Sequence, residues 1–249
     1  MIKGAFSTLD RRVLIDVKWF YMNKRKELIL KTIIKEHIKT AQPVGSEGLV
    51  DKYDLDISSA TVRNEMADLE AEGYIVQPHT SAGRIPTEKA YNFYLENLSE
   101  KKISDAEVRI FEKLLAKKDE ISFKQAAKAM AKISDSAVFW AFHKHNLYYT
   151  GISNLLHQPE FSQTGLIYDI SEVIDRVDEI IGQIFNDLKF GPQIMLGSKN
   201  PFSQHCSAVI TKYRLADNIG LVGILGPTRM NYEKNLALVK FINSLLTEK

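Results

Sequence analysis

The stretch from Ser58 to Thr87, SSATVRNEMADLEAEGYIVQPHTSAGRIPT, constrains the fold more than any other part of the chain. Ser58 or Ser59 is a natural helix N-cap, and Gly73 stands where a left-handed residue ends a helix. Between them the apolar residues recur at helical spacing, at Val62, Met66 and Leu69. The segments YIVQ and GRIP then flank PHTSA, in a region that contains no acidic residue from Gln77 to Pro86. The stretch predicts a capped helix followed by a short β-ribbon with a polar tip.

Two further helices precede this stretch. From Lys24 the apolar residues describe one face of a helix, at Leu28, Ile29, Ile33, Ile34 and Ile38. Pro43 ends that helix, because a proline disfavours helix in the residue before it. Ser46 is placed to cap a short second helix, and a last helix is expected from Thr87. Three helices followed by a small ribbon form the winged variant of the helix-turn-helix fold.

The remainder of the chain has mixed helical and strand-like patterns. Helical stretches near 107–118 and 122–133 precede the apolar runs AVFWAF and LYYTG. A helix near 171–188, three strand-like runs and a final helix from about Asn231 follow. The fold class is therefore α+β. The predicted boundaries are 1–23 for an N-terminal extension, 24–98 for the winged-helix domain, 99–106 for a polar linker and 107–249 for a second domain. The extension has two interpretations: a short ordered appendage, or the product of an upstream start, because Met22 immediately precedes the first strong helix.

Composition places the chain in a compartment better than it identifies a function. A chain with 45% hydrophobic residues can bury a sizeable core, and no apolar run approaches the length of a membrane span. Charges scattered through the N-terminus do not form a secretory signal. The single cysteine, Cys206, fits a reducing compartment, so we expect a cytoplasmic protein. The net charge of +2 is by itself no evidence for nucleic-acid binding.

The start of the third helix is the first candidate DNA-binding region. If its apolar residues face the core, its other faces carry Ser59, Thr61, Arg63 and Asn64. The N-terminal end of a recognition helix enters the major groove, where arginine pairs with guanine and asparagine with adenine. The N–H groups of a helix start also favour phosphate. The alternative is that Arg63 pairs with a neighbouring acid and Asn64 is simply exposed.

The ribbon favours the DNA interpretation. Its tip carries His79, Thr80, Ser81 and Arg84, and suits a phosphate backbone or a minor groove, where a carboxylate would be repelled. An ordinary solvated hairpin is the alternative. The charge count argues against DNA, because residues 24–98 contain 10 Lys and Arg against 12 Asp and Glu. Binding must then depend on where the charges lie. The acids that we expect to point away from DNA are Glu70, Glu72, Asp54 and Asp56.

Little in the sequence supports an enzyme or a metal site. The candidate metal ligands lack the paired spacing of a structural zinc site; they are His143, His145, His157, His205 and Cys206. Cys206 beside His205 could mimic a nucleophile and its base, but adjacent residues in a strand point to opposite faces. The segment GILGPTRMNY lacks the glycine spacing of a phosphate-binding loop. We expect no catalytic activity, no metal and no cofactor.

Four segments together carry a family resemblance. They are TAQPVGS, SSATVRNEMADLEAEGYIVQPHTSAGRIPTEKAYNFY, GISNLLHQPEF and GLVGILGPTRMNYEKNLALVKFI, within residues 24–98 and 147–249. With these segments the chain resembles the bacterial heat-inducible transcription repressors of the HrcA family. The resemblance implies a winged-helix domain joined to a GAF-like domain, acting as a homodimer. It also implies binding to double-stranded DNA at an inverted-repeat operator upstream of chaperone operons, with the chaperonin GroEL assisting the repressor.

One departure from the family concerns the dimer. Family members usually carry an additional domain, inserted into the GAF-like part, that contributes to dimerisation. Here the segment from Ala137 to Gly151 is too short to hold it, and the four residues from His143 to Asn146 connect two apolar runs as a plain hairpin would. We therefore expect a dimer through the surface of the GAF-like domain. The candidate interface aromatics are Trp140, Phe142 and Tyr148 in the hairpin, with Trp19, Phe20 and Tyr21 in the extension.

Three alternatives remain open from the sequence. The hairpin aromatics can equally be core residues. The GAF-like domain could bind a metabolite that gates DNA binding, with a pocket lined by Phe139, Trp140, Phe142, Tyr148 and Tyr149. The winged helix could instead bind a protein partner, which the salt dependence of binding would reveal, because phosphate contacts release counterions.

Overall fold

The computed structural model describes residues 22–99, 101–143, 146–162 and 164–247. They form two compact units, which divide between Ala90 and Tyr91. Most of the predicted N-terminal extension, residues 1–21, lies outside the described residues. Within those residues, every helix is too short or too polar to span a bilayer.

The first unit consists of helices and a two-stranded ribbon. Its elements are α1 (Lys24–Thr40), α2 (Ser46–Tyr53), α3 (Ser59–Ala71), β1 (Ile75–Val76), β2 (Ile85–Pro86) and the start of α4 (Glu88–Glu96). The second unit continues α4 into an α+β domain. Its further elements are α5 (Asp105–Leu114), α6 (Glu120–Ser134), β3 (Ala137–His143), β4 (Asn146–Thr150), α7 (Ile152–Leu156), α8 (Thr164–Asp175), α9 (Val177–Ile184), β5 (Gly191–Leu196), β6 (Cys206–Leu215), β7 (Asn218–Pro227) and α10 (Tyr232–Leu246), with 3₁₀ turns at Pro159–Ser162 and Gly197–Lys199.

The ends of α3 confirm the local signals in the sequence. The Ser58 side chain accepts a hydrogen bond from the Thr61 N–H at 3.1 Å, so Ser58 is the N-cap. Gly73 has a φ of 76°, in the left-handed region that favours glycine. The cap predicted for α2 is wrong. Ser46 is the first helical residue and is buried, and Gly45 holds the N-cap position without a side-chain bond.

Helix α1 packs one apolar face in the first unit. The buried residues of that face are Ile29, Leu30, Ile33 and Ile34. Leu28, which the spacing placed on the same face, is exposed. Lys26 lies buried between Asp68 of α3 at 3.2 Å and Glu72 at 2.7 Å. The hydrogen bond to Glu72 raises the pKa of Lys26 despite its burial, so the ion pair ties α1 to the end of α3.

The second unit is built on a five-stranded antiparallel sheet in the order β4-β3-β7-β6-β5. Period-two alternation sends the side chains of β3, β6 and β7 to two buried faces. One face, with Phe139, Ile210 and Leu225, packs under α7, α8 and α9. On the other, Trp140 stacks on Phe123 of α6, with 5.0 Å between ring centroids. Helices thus cover both faces, in a GAF-like arrangement.

Two glycines of β7 accommodate aromatic rings on the opposite faces of the sheet. A Cβ at Gly223 would lie 2.3 Å from the ring of Phe139, its partner on β3. A Cβ at Gly220 would lie 2.3 Å from the ring of Tyr213, its partner on β6. At these two positions β7 has no side chain, and this leaves room for the large rings of the neighbouring strands.

The structure differs from the sequence patterns in two places. The helix expected near 171–188 is two helices, because the chain breaks at Arg176, whose φ and ψ are −109° and 11°. The hairpin of β3 and β4 is confirmed as an antiparallel pair, with a register irregularity between Ala141 and His143. The turn residues 144 and 145 lie outside the described residues.

Two segments that carried the family resemblance meet in the second unit. Arg229, from GPTRMNY, pairs with Glu160 and donates a hydrogen bond to Gln158 at 2.8 Å. Gln158 in turn donates to the carbonyl of Asp135, just after α6. The loop before α10 and the segment after α7 are therefore fastened to each other and to the end of α6.

Glu233 of α10 holds the last turn of α4 and the chain that follows it. Its carboxylate accepts hydrogen bonds from the Tyr94 hydroxyl at 3.0 Å and the Ser99 hydroxyl at 2.8 Å. Lys101 places its ammonium group 3.2 Å from the other oxygen. Burial alone would raise the pKa of Glu233, but the bonds from Ser99, Lys101 and Tyr94 hold it below its usual value. The ionised carboxylate is thus part of the native packing.

We expect Glu233→Gln to lower the free energy of unfolding at neutral pH by about 1–3 kcal/mol, because charge-assisted hydrogen bonds are lost. A carboxylate whose pKa falls on folding stabilises the protein above its unfolded pKa and loses that contribution as the pH drops through the folded value. The difference between variant and wild type should therefore shrink below the usual glutamate value of 4.5. Urea unfolding at neutral and acidic pH measures it.

Glu172→Gln is the matched control, because Glu172 is an exposed acid paired with Arg176 on the helix surface. A surface pair of this kind contributes about 0–1 kcal/mol. A Glu233→Gln effect that matches the control, or that does not change with pH, would contradict the assigned role of Glu233.

Candidate nucleic-acid interface

The first turns of α3 present the predicted contact residues to different degrees. Arg63 and Asn64 are exposed, whereas Ser59 and Thr61 are half-buried. The hydroxyl groups of Thr61 and Ser58 lie 2.9 Å apart, so Thr61 belongs to the cap as well as to the surface. The backbone N–H groups at the start of α3 are at the positive end of the helix dipole. This end of α3 can therefore receive a phosphate while Arg63 and Asn64 reach further out.

In the part of the chain that the structure describes, Arg63 forms an ion pair with one acid. Its guanidinium lies 3.8 Å from the Glu47 carboxylate of α2, and the two side chains are 71% and 79% exposed. A pair so exposed is weak, because water and salt screen it. Arg63 is therefore available to an external anion, and Glu47 is the acid that such an anion would approach.

The tip of the ribbon is a polar loop between β1 and β2. His79, Thr80 and Ser81 are all exposed. Ser81 has a φ of 67°, and the Ala82 N–H donates to the His79 carbonyl at 3.0 Å, which closes the loop. We call residues 77–84 the wing. Its exposed polar side chains point away from the packed core.

The wing is anchored to the loop before α2. Arg84 and Val44 exchange two backbone hydrogen bonds, both 2.9 Å long. Next to them the chain passes so close that a Cβ at Gly83 would lie 2.5 Å from the Val44 carbonyl carbon and oxygen. Glycine is the residue that permits this approach, so the position of the wing depends on it.

The side chain of Arg84 is engaged inside the unit. Its Nε donates to Glu70 Oε2 at 2.9 Å, and its Nη2 lies at the same distance from that oxygen. The other Glu70 oxygen accepts the Gln77 N–H at 3.1 Å. The Arg84 side chain is only 23% exposed. The sequence placed Arg84 at the tip as a DNA contact and missed this second role, in which it fastens the wing to α3.

The structure brings candidate residues from α3 and from the wing together. A cleft of roughly 280 Å³ lies between the start of α2, α3 and the wing, and Arg63, Ser81 and Arg84 are among the residues that line it. Glu47 lines the same cleft. Residues far apart in the sequence therefore form one concave surface.

The acids of α3 lie mostly in ion pairs within the unit. Asp68 and Glu72 contact Lys26 of α1, and Glu70 contacts Arg84. These contacts pair the negative charges near the C-terminal end of α3 with cations of the same unit. The excess of acids in residues 24–98 is therefore not concentrated at the exposed start of α3.

The predicted interface aromatics of the hairpin are corrected in part. Trp140 is not exposed: it is fully buried, and its Nε1–H donates to the Tyr213 hydroxyl at 2.8 Å. Phe142 is half-buried, with its ring centroid 6.0 Å from that of Phe123. Tyr148 is half-buried beneath the Lys124 ammonium group, at 5.6 Å. Trp19, Phe20 and Tyr21 lie outside the described residues.

The residues that the sequence suggested as the lining of a metabolite pocket do not lie together in the structure. Phe139 and Trp140 are buried on opposite faces of the sheet. They therefore cannot line one cavity. Tyr149 alone of the five hypothetical pocket residues is among the exposed large side chains, at 45%.

The cysteine does not have the surroundings of a nucleophile. Cys206 is fully buried at the start of β6, and burial raises the pKa of its thiol to about 12. A thiol with so high a pKa stays protonated and inert at neutral pH. Within the described residues, no three histidine, cysteine or acidic side chains converge as metal ligands would.

Three helices, an anchored wing and a GAF-like domain are the parts of a winged-helix transcription regulator. The comparisons with known proteins narrow this class. A family model described as the HrcA protein C-terminal domain matches residues 57–236. Since that match covers well over half of the chain, the chain belongs to the HrcA family.

Relatives of the chain are heat-inducible transcription repressors. The repressor HrcA of Natranaerobius thermophilus is 27% identical over 332 residues, covering 91% of this chain and 96% of that protein. The repressor HrcA of Alkaliphilus metalliredigens is 58% identical over 77 residues, covering 31% of this chain and 22% of that protein. The first alignment is longer than the 249 residues of this chain, so that relative carries residues with no counterpart here.

A solved structure shares the fold. The crystal structure of a hypothetical protein superposes on this chain with a TM-score of 0.73 and 19% sequence identity. The superposition covers 91% of this chain and 98% of the other. At this identity the likeness concerns the fold alone.

We expect Gly83→Ala to displace the wing, because the new Cβ would overlap the Val44 backbone. The free energy of unfolding should fall by about 1–3 kcal/mol, as overpacking generally costs. Hydrogen exchange at the Val44 and Arg84 amides should become faster, since their mutual bonds are broken. Gly48→Ala is the control, because a Cβ there meets nothing within 4 Å and alanine favours a helix. Unchanged exchange at both amides in Gly83→Ala would show that the wing is anchored in another way.

Proposed function

We propose that this chain is a cytoplasmic transcriptional repressor of heat-shock chaperone operons. It binds an inverted-repeat operator as a homodimer, and residues 24–98 form its DNA-binding domain. The single observation that carries the proposal is the cleft in which Arg63 of α3 meets Ser81 and Arg84 of the wing. Membership of the HrcA family supports the choice of operons.

In this proposal α3 is the recognition helix. Its exposed Arg63 and Asn64 reach base edges in the major groove, and Ser59, Thr61 and the N–H groups of the first turn bind phosphate. The wing lies along the backbone or in the minor groove, with His79, Thr80 and Ser81 as contacts. Arg84 contributes by holding the wing in this position through its ion pair with Glu70.

Placement of charge makes DNA binding compatible with a domain that has more acids than bases. Opposite charges that pair inside the domain contribute little field at its surface, because their separations are small compared with the distance to DNA. The field at the phosphates then depends on exposed side chains such as Arg63. Binding by a small number of phosphate contacts should have a modest salt dependence, since each contact releases about one counterion.

We expect Arg63→Ala to weaken operator binding by roughly 1–3 kcal/mol, as the loss of a bidentate base contact generally does. The protein should remain folded, because Arg63 is exposed. Footprinting of the purified protein on its host's own chaperonin promoter identifies the operator, and titration of that fragment measures the affinity.

Two variants act as controls. Glu47→Gln removes the acid that lies beside Arg63, so it should strengthen binding, whereas Arg109→Ala alters an exposed arginine of α5 and should change nothing. If Arg63→Ala binds the operator as the wild type does, α3 does not read DNA through this residue. Absence of any footprint at neutral pH and low salt would contradict DNA binding itself.

The chaperonin GroEL is proposed as a partner that maintains the active repressor. Heating lowers the folded population of a marginally stable protein, and a loss of about 1–2 kcal/mol changes the amount of active protein several-fold. We expect added chaperonin with ATP to raise the operator-binding fraction after a heat pulse. Titration with operator DNA before and after the pulse measures that fraction. An active fraction that is the same with and without chaperonin at every temperature would contradict this partnership.

A further inference from the structure

Among the described residues, no strand pairs with one edge of the sheet in the second unit. Strand β4 is the outer strand, and the neighbour with which it pairs is β3. An outer strand presents unpaired N–H and C=O groups, which can pair with an added strand. Beside this edge lies a cleft of roughly 650 Å³, between β4 and the junction of α8 with α9.

The cleft has an apolar floor and an acidic rim. Leu147 and Tyr149 of β4 and Ile181 of α9 contribute apolar surface, and Tyr149 is 45% exposed. The rim carries Asp175 and Asp178. Such a surface fits an apolar segment that also carries positive charge.

The acidic character extends over both helices. Residues 164–187 contain six acids and one base. That base, Arg176, already pairs with Glu172 at 3.2 Å and with Glu179 at 3.3 Å. The negative charge of the rim is therefore left largely uncompensated by cations of the same helices.

Two cationic side chains of β6 lie beside the opposite edge of the sheet, at β5. Phe190, just before β5, is exposed, with Lys212 and Arg214 each 5.5 Å from its ring centroid. A positively charged segment would be repelled there. The charges near the two edges therefore differ, and a positively charged strand is expected to pair with β4 rather than with β5.

The chain contains one segment with the matching chemistry. Residues 11–21, RRVLIDVKWFY, begin with two arginines and contain three bases and one acid. The segment is rich in β-branched and aromatic residues, which favour strands. Its alternate positions form an apolar row, at Val13, Ile15, Val17, Trp19 and Tyr21.

We propose that residues 11–21 of a second copy of this chain add as a strand to the open edge of β4, with Arg11 and Arg12 at the acidic rim. The contact is reciprocal, so that each copy gives a strand and receives one. The choice of a second copy, rather than another molecule, rests on the proposed function, which requires two DNA-binding domains for an inverted repeat.

Reciprocity also follows from the size of the site. Strand β4 has five residues, and one strand added to so short an edge buries less than the 1,200–2,000 Å² or so that a stable dimer requires. Two exchanged strands double the contact. Direct pairing of β4 with β4 of a second copy is disfavoured, because it would bring the two acidic rims together.

Light scattering on the full chain without DNA tests the proposal. The wild type should have twice the chain mass of 28.3 kDa at micromolar concentration. Reversing the segment charges with Arg11→Glu and Arg12→Glu should weaken the dimer about tenfold or more, and so should Asp175→Lys with Asp178→Lys at the rim. Combining all four substitutions should restore the dimer, since opposite charges then meet again.

The control pair is Asp105→Lys with Asp217→Lys, which makes the same change of net charge at exposed positions away from the cleft. It should leave the mass unchanged, and circular dichroism confirms that all variants fold. The proposal would be overturned if the wild type is a monomer, or if the dimer stays intact when the charges of the segment or of the rim are reversed separately. A third outcome is that Asp175→Lys with Asp178→Lys tightens the dimer while Arg11→Glu with Arg12→Glu has no effect. That outcome would overturn the proposal and would indicate that β4 pairs with β4 of the second copy.

The proposed DNA binding and the proposed strand exchange are tested by independent measurements. The mass is measured without DNA, so an unexpected mass leaves the role of α3 in DNA binding untouched. Conversely, Arg63→Ala changes operator affinity and not the mass, so its failure leaves the strand exchange standing.

Discussion

Arg84 connects the three parts that form the candidate DNA surface. Its backbone pairs with Val44 before α2, and its side chain pairs with Glu70 of α3. The same carboxylate receives the Gln77 N–H at the other end of the wing. The two ends of the wing are therefore fastened to one residue of α3. Because Gly83 lets the backbones approach, the wing and the start of α3 keep a common concave surface.

This junction also explains how an acidic domain can present a surface for DNA. Three ion pairs use acids of α3 or of its C-cap to hold another element: Asp68 and Glu72 hold α1 through Lys26, and Glu70 holds the wing. The acids thus contribute to packing, and exposed side chains such as Arg63 determine the local field. Net charge is a poor guide to DNA binding when most charges are paired.

The second unit meets a different constraint, because its sheet has to be covered on both faces. Trp140 and Phe139 fill the two cores, and Gly220 and Gly223 of β7 leave room for the rings that cross them. The short hairpin of β3 and β4 completes this packing without an inserted domain. It also leaves β4 at the edge of the sheet, where helices of strongly acidic composition lie alongside.

The sequence by itself determined the features that depend on one turn of chain. Ser58 caps α3, Gly73 ends it and α10 begins directly after Asn231, as their local patterns predicted. The α+β class and the hairpin also follow from local periodicity and turn chemistry. These predictions succeed because a cap or a turn is made by residues within a few positions of each other.

Only the tertiary structure decided which side chains form hydrogen bonds or ion pairs with residues far away in the sequence. Arg84 and Glu70 are fourteen residues apart, and Trp140 reaches Tyr213 across seventy-three. Neither pairing has a local signature, so the sequence placed Arg84 on DNA and left Trp140 open between core and interface. Burial and ion pairing are set by how whole elements pack, and that depends on the sum of many long-range contacts rather than on any single stretch of sequence.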